Sequence, residues 1–349
     1  MRKSNRIESH RRRALVAACL LCGLPQLHVA RMAIAEEPVR IRLGTIAPKG
    51  SSYHRALQEM GEKWRKTQGG TATFTVFTDG TQGGEEDTVR RMRVGQLNAA
   101  LLSVVGLTQI DLSVAALQLM PLVYRSWEEV DYVRERIAQK LEKRLFDKGY
   151  VVLFWADAGW VRYFSRDPAL HPGDFKRRKI FVWSGDNNQV DILKAMGYQP
   201  VPLETADILP GLQTGLITVV PTTPYYALAG QFNGPAPHML DIKWVPIVGA
   251  CVLTRKVWES LSPLGSDELM RAAQQAGASI RQPARDEDTE SIEAMKRRGL
   301  QVAIPTAEVD AEWRRVVEQA YPGIRGSLVP AETFDEVMAL LRDYRGAHQ

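Results

Sequence analysis

The chain has 349 residues, with 45 Lys and Arg against 40 Asp and Glu, a formal net charge of +5, and 45% hydrophobic residues. That length supports two domains with full cores. The basic surplus sits in residues 1–35, which hold seven Lys/Arg and one Glu. The rest has 38 basic and 39 acidic residues, a net charge of −1 that excludes an electrostatic argument for nucleic acid.

In chain order, Arg2, Lys3, Arg6 and Arg11–Arg13 precede an apolar stretch from Ala14 to Leu24, and Ala33-Ile34-Ala35 offers a small-residue cut site. This is the pattern of a secretory signal peptide over 1–35, with cleavage near Ala35. The apolar stretch is too short to span a bilayer, and no later segment is long and apolar enough, so the mature protein is not expected to cross a membrane. Cys19 ends a local lipoprotein box, Val16-Ala17-Ala18-Cys19, with little apolar sequence before it, so lipidation is the lesser reading. Cleavage removes Cys19 and Cys22 and leaves Cys251, a small core residue that has no partner for an internal disulfide.

Val39–Ile46 alternates into a strand, and Ser51 or Ser52 caps a helix that places Tyr53, Leu57, Met60 and Trp64 on one stripe until Gly69-Gly70. Thr73–Thr78 is a strand. Glu85, Glu86 and Asp87 open a helix, where acids suit the positive end of the dipole. Ala99–Val105 is a short apolar strand. Ser126 to Glu129 forms a capping box ahead of a helix that closes at Gly149, and Tyr150–Trp155 is a buried strand.

The segment from Arg162 to Pro224 alternates short strands with helices closed by glycine. Its strands end near Ser165 and run over Lys179–Trp183, Gln199–Leu203 and Leu216–Val220. Its helices end at Met196 and Thr214. This reads as βαβ units on a mostly parallel sheet. Val245–Leu253 is a returning apolar strand. A long helix runs from Ser266 to Arg298, and its charged face (Arg285, Asp286, Glu287, Asp288, Glu290) reads as solvated. A strand Gln301–Ile304 and helices Ala307–Ala320 and Ala331–Arg345 complete the chain.

Several of these segments, in this order, resemble the TRAP-transporter solute receptors of the DctP type. The pieces are Val76 to Gly83, Gly95 to Ala99, Met120 to Tyr124, Arg162–Ser165, Pro172–Phe181, Gly197–Leu203 and Gly211–Thr218. The resemblance spans residues 39–345. It implies an α/β two-domain periplasmic binding protein fold with hinge strands and a long domain-spanning helix. The implied division is 36–156 and 247–265 for one domain, 157–246 for the other, 266–298 for the connecting helix, and 299–349 for a C-terminal part packing across both. It also implies a periplasmic receptor for a small-molecule ligand, with the membrane subunits of a TRAP carrier as partner and no cofactor.

In the resembled family an Arg at the position of Arg162 contacts the ligand carboxylate. A second, more central Arg usually follows Lys-Ile, and here that position is Phe181. Losing a forked guanidinium removes an anchor for a free carboxylate and makes the pocket more apolar. The expected ligand is therefore bulkier or more apolar than a simple dicarboxylate. The usual small carboxylate is one alternative, and sensing or hydrophobic-metabolite handling without a carrier is another. Trp155, Trp160, Trp183, Tyr225 and Tyr226 are expected pocket lining, although core packing serves each equally well. Thr222, Thr223 and Asn187 are candidate hydrogen-bonding groups, and Asn187 also reads as a helix N-cap.

After residue 35, His54, His171, His238 and His348 have no i, i+4 partner, and no HExxH, CxxC or nucleophile elbow occurs, so neither a metal site nor catalytic residues are expected. The reading is a binding protein, not an enzyme. Purified from the cell envelope, the protein should show an intact mass that begins at Glu36. A mass that includes Met1, or a lipid on Cys19, would refute the export reading.

Overall fold

The computed structural model describes residues 38–69 and 72–348, so the expected signal peptide and Gly70 lie outside the described residues. The chain order is β1 (Arg40–Thr45), α1 (Ser52–Thr67), β2 (Thr73–Phe77), α2 (Glu85–Arg93), β3 (Ala99–Ser103), α3 (Val104–Thr108), α4 (Trp127–Asp147) and β4 (Tyr150–Trp160). It continues through β5 (Arg162–Ser165), α5 (Pro172–Phe175), β6 (Lys179–Trp183), α6 (Asn187–Ala195), β7 (Gln199–Leu203), α7 (Ile208–Thr214), β8 (Val219–Thr222), α8 (Pro224–Ala229) and β9 (His238–Leu240). Then come β10 (Pro246–Thr254), α9 (Arg255–Ser260), α10 (Pro263–Lys296), β11 (Gln301–Ala303), α11 (Ala307–Ile324) and α12 (Ala331–Ala347).

The strands form two sheets, β2-β1-β3-β10-β4 and β11-β9-β5-β8-β6-β7. The local βαβ pattern is realised: β1 pairs in parallel with β2 and β3, and β6 with β7 and β8. The second sheet is mostly parallel, as the alternation of strands and helices implies, with β11 also parallel to β9, but both sheets carry antiparallel pairings. β10 runs antiparallel to β3 and β4, and β5 runs antiparallel to β8 and β9. These are pairings between strands far apart in sequence, which local periodicity does not report.

Two neighbouring strands carry the chain between the sheets. β4 stays in the first sheet through Trp160, and β5 starts in the second at Arg162. Coming back, β9 lies in the second sheet and β10 in the first. The crossings are pinned together at one residue: the Val161 amide donates to the Val245 carbonyl at 2.9 Å, and the Trp244 amide to the Val161 carbonyl at 3.1 Å. Gly159, at φ 93°, turns the strand into this crossing.

Apolar stripes explain the helix packing. Tyr53, Leu57, Met60 and Trp64 of α1 are buried as expected, in a cluster with Leu269, Ala273 and Ile280 of α10 and Leu253 of β10. Gly249 of β10 lies flat against β3, and a Cβ there would strike the Leu102 carbonyl oxygen. Gly249→Ala should therefore destabilise the protein by about 2–3 kcal/mol, the scale of core overpacking. Urea unfolding of the two proteins side by side would test this, and equal midpoints would refute it.

Candidate functional site

The parallel strands β1 and β3 of one sheet and β6 and β8 of the other end at a shared cavity of about 150 Å³. Crevices outside the carboxyl ends of strands are the usual binding place in open α/β sheets, because the connecting loops converge there. One wall comes from Thr45–Pro48, Tyr53, Glu85, Leu101–Ser103, Gln118, Ala156–Ala158, Ile247 and Gly249. The opposite wall comes from Phe181–Trp183, Gln189 and Pro221–Thr223 with Tyr225 and Tyr226, and α10 contributes Ala284 and Glu287.

Alternation along β6 sorts its side chains. Ile180 and Val182 join one apolar cluster, and Phe181 joins another with Phe164, Ile208, Leu212 and Phe232. Phe181 is 1% exposed and lines the cavity from within that cluster. Its ring meets Trp183 edge-on at 5.0 Å, and Trp183 meets Tyr226 at 5.5 Å. This T-shaped chain gives one wall a rigid aromatic surface. Thr223 also caps α8, accepting from the Tyr226 amide at 3.3 Å.

Of the residues singled out from sequence, Phe181, Trp183, Thr222, Thr223, Tyr225 and Tyr226 line this cavity. Four are not among its lining residues. Arg162 spends its guanidinium elsewhere: Nε donates to Asp241 Oδ1 at 2.5 Å and Nη1 to the Trp160 carbonyl at 3.0 Å. It lines a separate cleft with Arg125, Asp241, Lys243, Asp310 and Arg314. Trp155 points toward α4, where its Nε1 donates to Glu142 at 2.7 Å. Trp160 packs on Trp127 with centroids 5.1 Å apart. Asn187 neither lines the cavity nor caps α6. The cap is Asp186, which accepts from the Gln189 amide at 3.0 Å.

Sequence reasoning missed the polar half of the site. Glu85 was assigned to the helix dipole alone. In fact its carboxylate accepts from the Ser103 amide at 2.6 Å, the Ser103 hydroxyl at 2.5 Å and the Gly106 amide at 3.0 Å. Burial pushes its pKa up in spite of those donors. Tyr53 donates its hydroxyl to the Asp157 carbonyl. Gln118 accepts from the Val248 amide at 3.2 Å.

The charged face of α10 also needs correction, because much of it is not solvated. Arg285 reaches Asp131 at 2.8 Å and Asp157 at 2.7 Å, and Arg134 pairs with the same two acids. Asp288 is 6% exposed and accepts from the Trp160 amide at 2.8 Å at the crossing. A Cβ on Gly159 would collide with its carboxylate. The signal was present in the sequence as acids and Arg285 spaced along one helix. Only the packing of α10 against β4 and α8 distinguishes this from a wet face.

The family described as bacterial extracellular solute-binding protein, family 7, matches residues 43–325. A solute-binding protein of Roseobacter denitrificans is 24% identical over 249 residues, covering 70% of this chain and 75% of that protein. Among solved structures, a TRAP periplasmic solute-binding protein of Shewanella oneidensis with bound succinate superposes with a TM-score of 0.81 at 17% identity, covering 87% of this chain and 99% of the other. One from Xanthobacter autotrophicus with bound β-D-galacturonate gives a TM-score of 0.79 at 18% identity, covering 86% and 99%.

Burial, opposed by the amides of Trp160 and Tyr225 and by the charge of Arg162, pushes the Asp288 carboxyl up to about 7. A carboxyl raised above its unfolded value of 3.8 holds a proton that unfolding releases. Its contribution to stability is thus full below about pH 4 and is lost as pH rises through 7. Asp288→Asn keeps an acceptor for the amides and removes that titration. The variant should gain on the wild type by up to ~4 kcal/mol at pH 8, and the gap should close toward pH 4. Thermal melts across this range would test it, and a gap independent of pH would refute it.

Proposed function

This chain belongs to bacterial extracellular solute-binding protein family 7, the TRAP-transporter receptors, and from that premise we propose that it is an exported receptor. In this reading it binds a small organic solute between its two sheets and delivers it to the membrane subunits of a TRAP carrier. Among the described residues no helix is long and apolar enough to cross a membrane, in keeping with a receptor that works beside its carrier. The lobes follow the two sheets, so the first runs through Trp160 and resumes at Pro246, which moves the expected boundaries at 157 and 247 by a few residues. The strand crossings at Val161 and Val245 act as the hinge, and α10 lies across both lobes. Ligand contacts from both walls stabilise the closed form, and binding shifts the population toward it without any chemical step.

The observation that carries the ligand reading is the composition of the cavity. Phe181 stands at the position of the family's central Arg, Arg162 is engaged by Asp241, and the walls are aromatic, aliphatic and hydroxyl-bearing. We infer a ligand more apolar or bulkier than a simple dicarboxylate. Two of the structural relatives hold succinate and β-D-galacturonate, so an acidic ligand is the alternative that the test must separate.

A charged hydrogen bond contributes about 1.5–3 kcal/mol, so losing a forked pair costs on the order of 10²-fold or more in affinity. Calorimetry on the wild type should show no micromolar binding of succinate or malate. Phe181→Arg, once checked for an unchanged circular dichroism spectrum, should gain carboxylate binding. Micromolar succinate binding by the wild type would refute the ligand reading.

A further inference from the structure

The charge pattern of the cavity specifies the ligand further, on the premise of the receptor reading above. The described residues lining it include three carboxylates, Glu85, Asp157 and Glu287, and no Lys, Arg or His. Asp157 is balanced by Arg134 and Arg285. Glu85 is held by neutral donors only. Glu287 is in no ion pair among the described residues, and the exposed Arg55 acts on it only from a distance. These two acids come from different elements, α2 and α10. A third carboxylate, that of Asp186, is close enough to Glu85 to be raised by it, and its Oδ2 is buried without a partner.

An anionic ligand entering here would meet the carboxyl groups of Glu85 and Glu287 and no cation among the lining residues. Two like charges repel far more strongly at this depth than in water. A cation meets the reverse. It gains the carboxyl groups of Glu85 and Glu287, in a cavity also lined by the aromatic rings of Trp183, Tyr225, Tyr226 and Tyr53, side chains of a type whose ring quadrupole attracts positive charge.

We propose that the cavity selects an organic cation, a protonated or quaternary amine on an aromatic or aliphatic body, with its charge toward Glu85 and Glu287 and its body against Trp183 and Phe181.

The test uses the mature protein and three probes that share one ring: phenethylammonium, 2-phenylethanol and 3-phenylpropanoate, with choline as a second cation and glucuronate and succinate as second anions. Thermal shift and calorimetry should rank a cation first, at least about tenfold tighter than the alcohol, with no binding of the anions. Glu85→Gln and Glu287→Gln should each weaken the cation about tenfold or more and leave the alcohol unchanged. If Glu85→Gln does not fold, Glu287→Gln decides. Equal binding of amine and alcohol overturns the charge inference and leaves the receptor reading standing. So does preferred binding of any anion, with or without added calcium. Failure of every probe overturns both.

Discussion

The architecture depends on one small piece of backbone, where the two strands crossing between the sheets hydrogen-bond to each other at Val161. If the crossings were separate, the sheets would be two modules on independent tethers. Because they lie side by side, the sheets share a single axis, and the loops after β1, β3, β6 and β8 must face one another. The cavity follows from that arrangement and not from any one loop. Gly159 and Asp288 belong to the same device. The glycine makes room for a carboxylate on α10, which accepts the amide of Trp160 just before the crossing.

Around this axis the protein buries charge at some cost. Asp131, Arg134, Asp157 and Arg285 come from α4, β4 and α10, and each Asp pairs with both Arg. Such a closed set is weak evidence for net stability, but removing one member leaves a buried charge unpaired, at about 3–5 kcal/mol. The set therefore fixes how α10 and α4 sit on β4, more than it adds to the total. It also neutralises Asp157, so the negative character of the cavity rests on Glu85 and Glu287.

Much of the fold was legible in the sequence. The stripe of α1, the strands from β5 to β8, the long helix and the C-terminal pair follow from period, caps and glycine stops. What was not legible depends on partners distant in the chain. Ala99–Val105 reads as one strand, yet Ser103 caps α3 by accepting from the Val105 amide, and the strand stops there. The antiparallel pairing of β10 with β4 has no local signature. At the site, Thr222, Thr223, Tyr225 and Tyr226 were legible because rigid aromatics and hydroxyls cluster there in a short stretch of sequence, and all four line the cavity. Arg162 was misplaced because its partner Asp241 lies 79 residues away. Glu85 and Glu287 were overlooked because an acid in a first helical turn, or on a charged helix face, already has an ordinary explanation.

The long helix carries a mechanical consequence. From Leu269 to Ala284 its apolar side chains pack with the first sheet, whereas Met295 packs with the cluster of the second. Pro283 lies at the far end of the first attachment, one residue before Ala284. Proline has no amide hydrogen, so the carbonyl of Ser279 loses its helical donor, and the ring crowds the turn before it. A rod of 34 residues thus has a soft point at the end of its contact with the first sheet. Bending strain from a change in lobe angle concentrates there, one turn before Glu287 at the cavity edge.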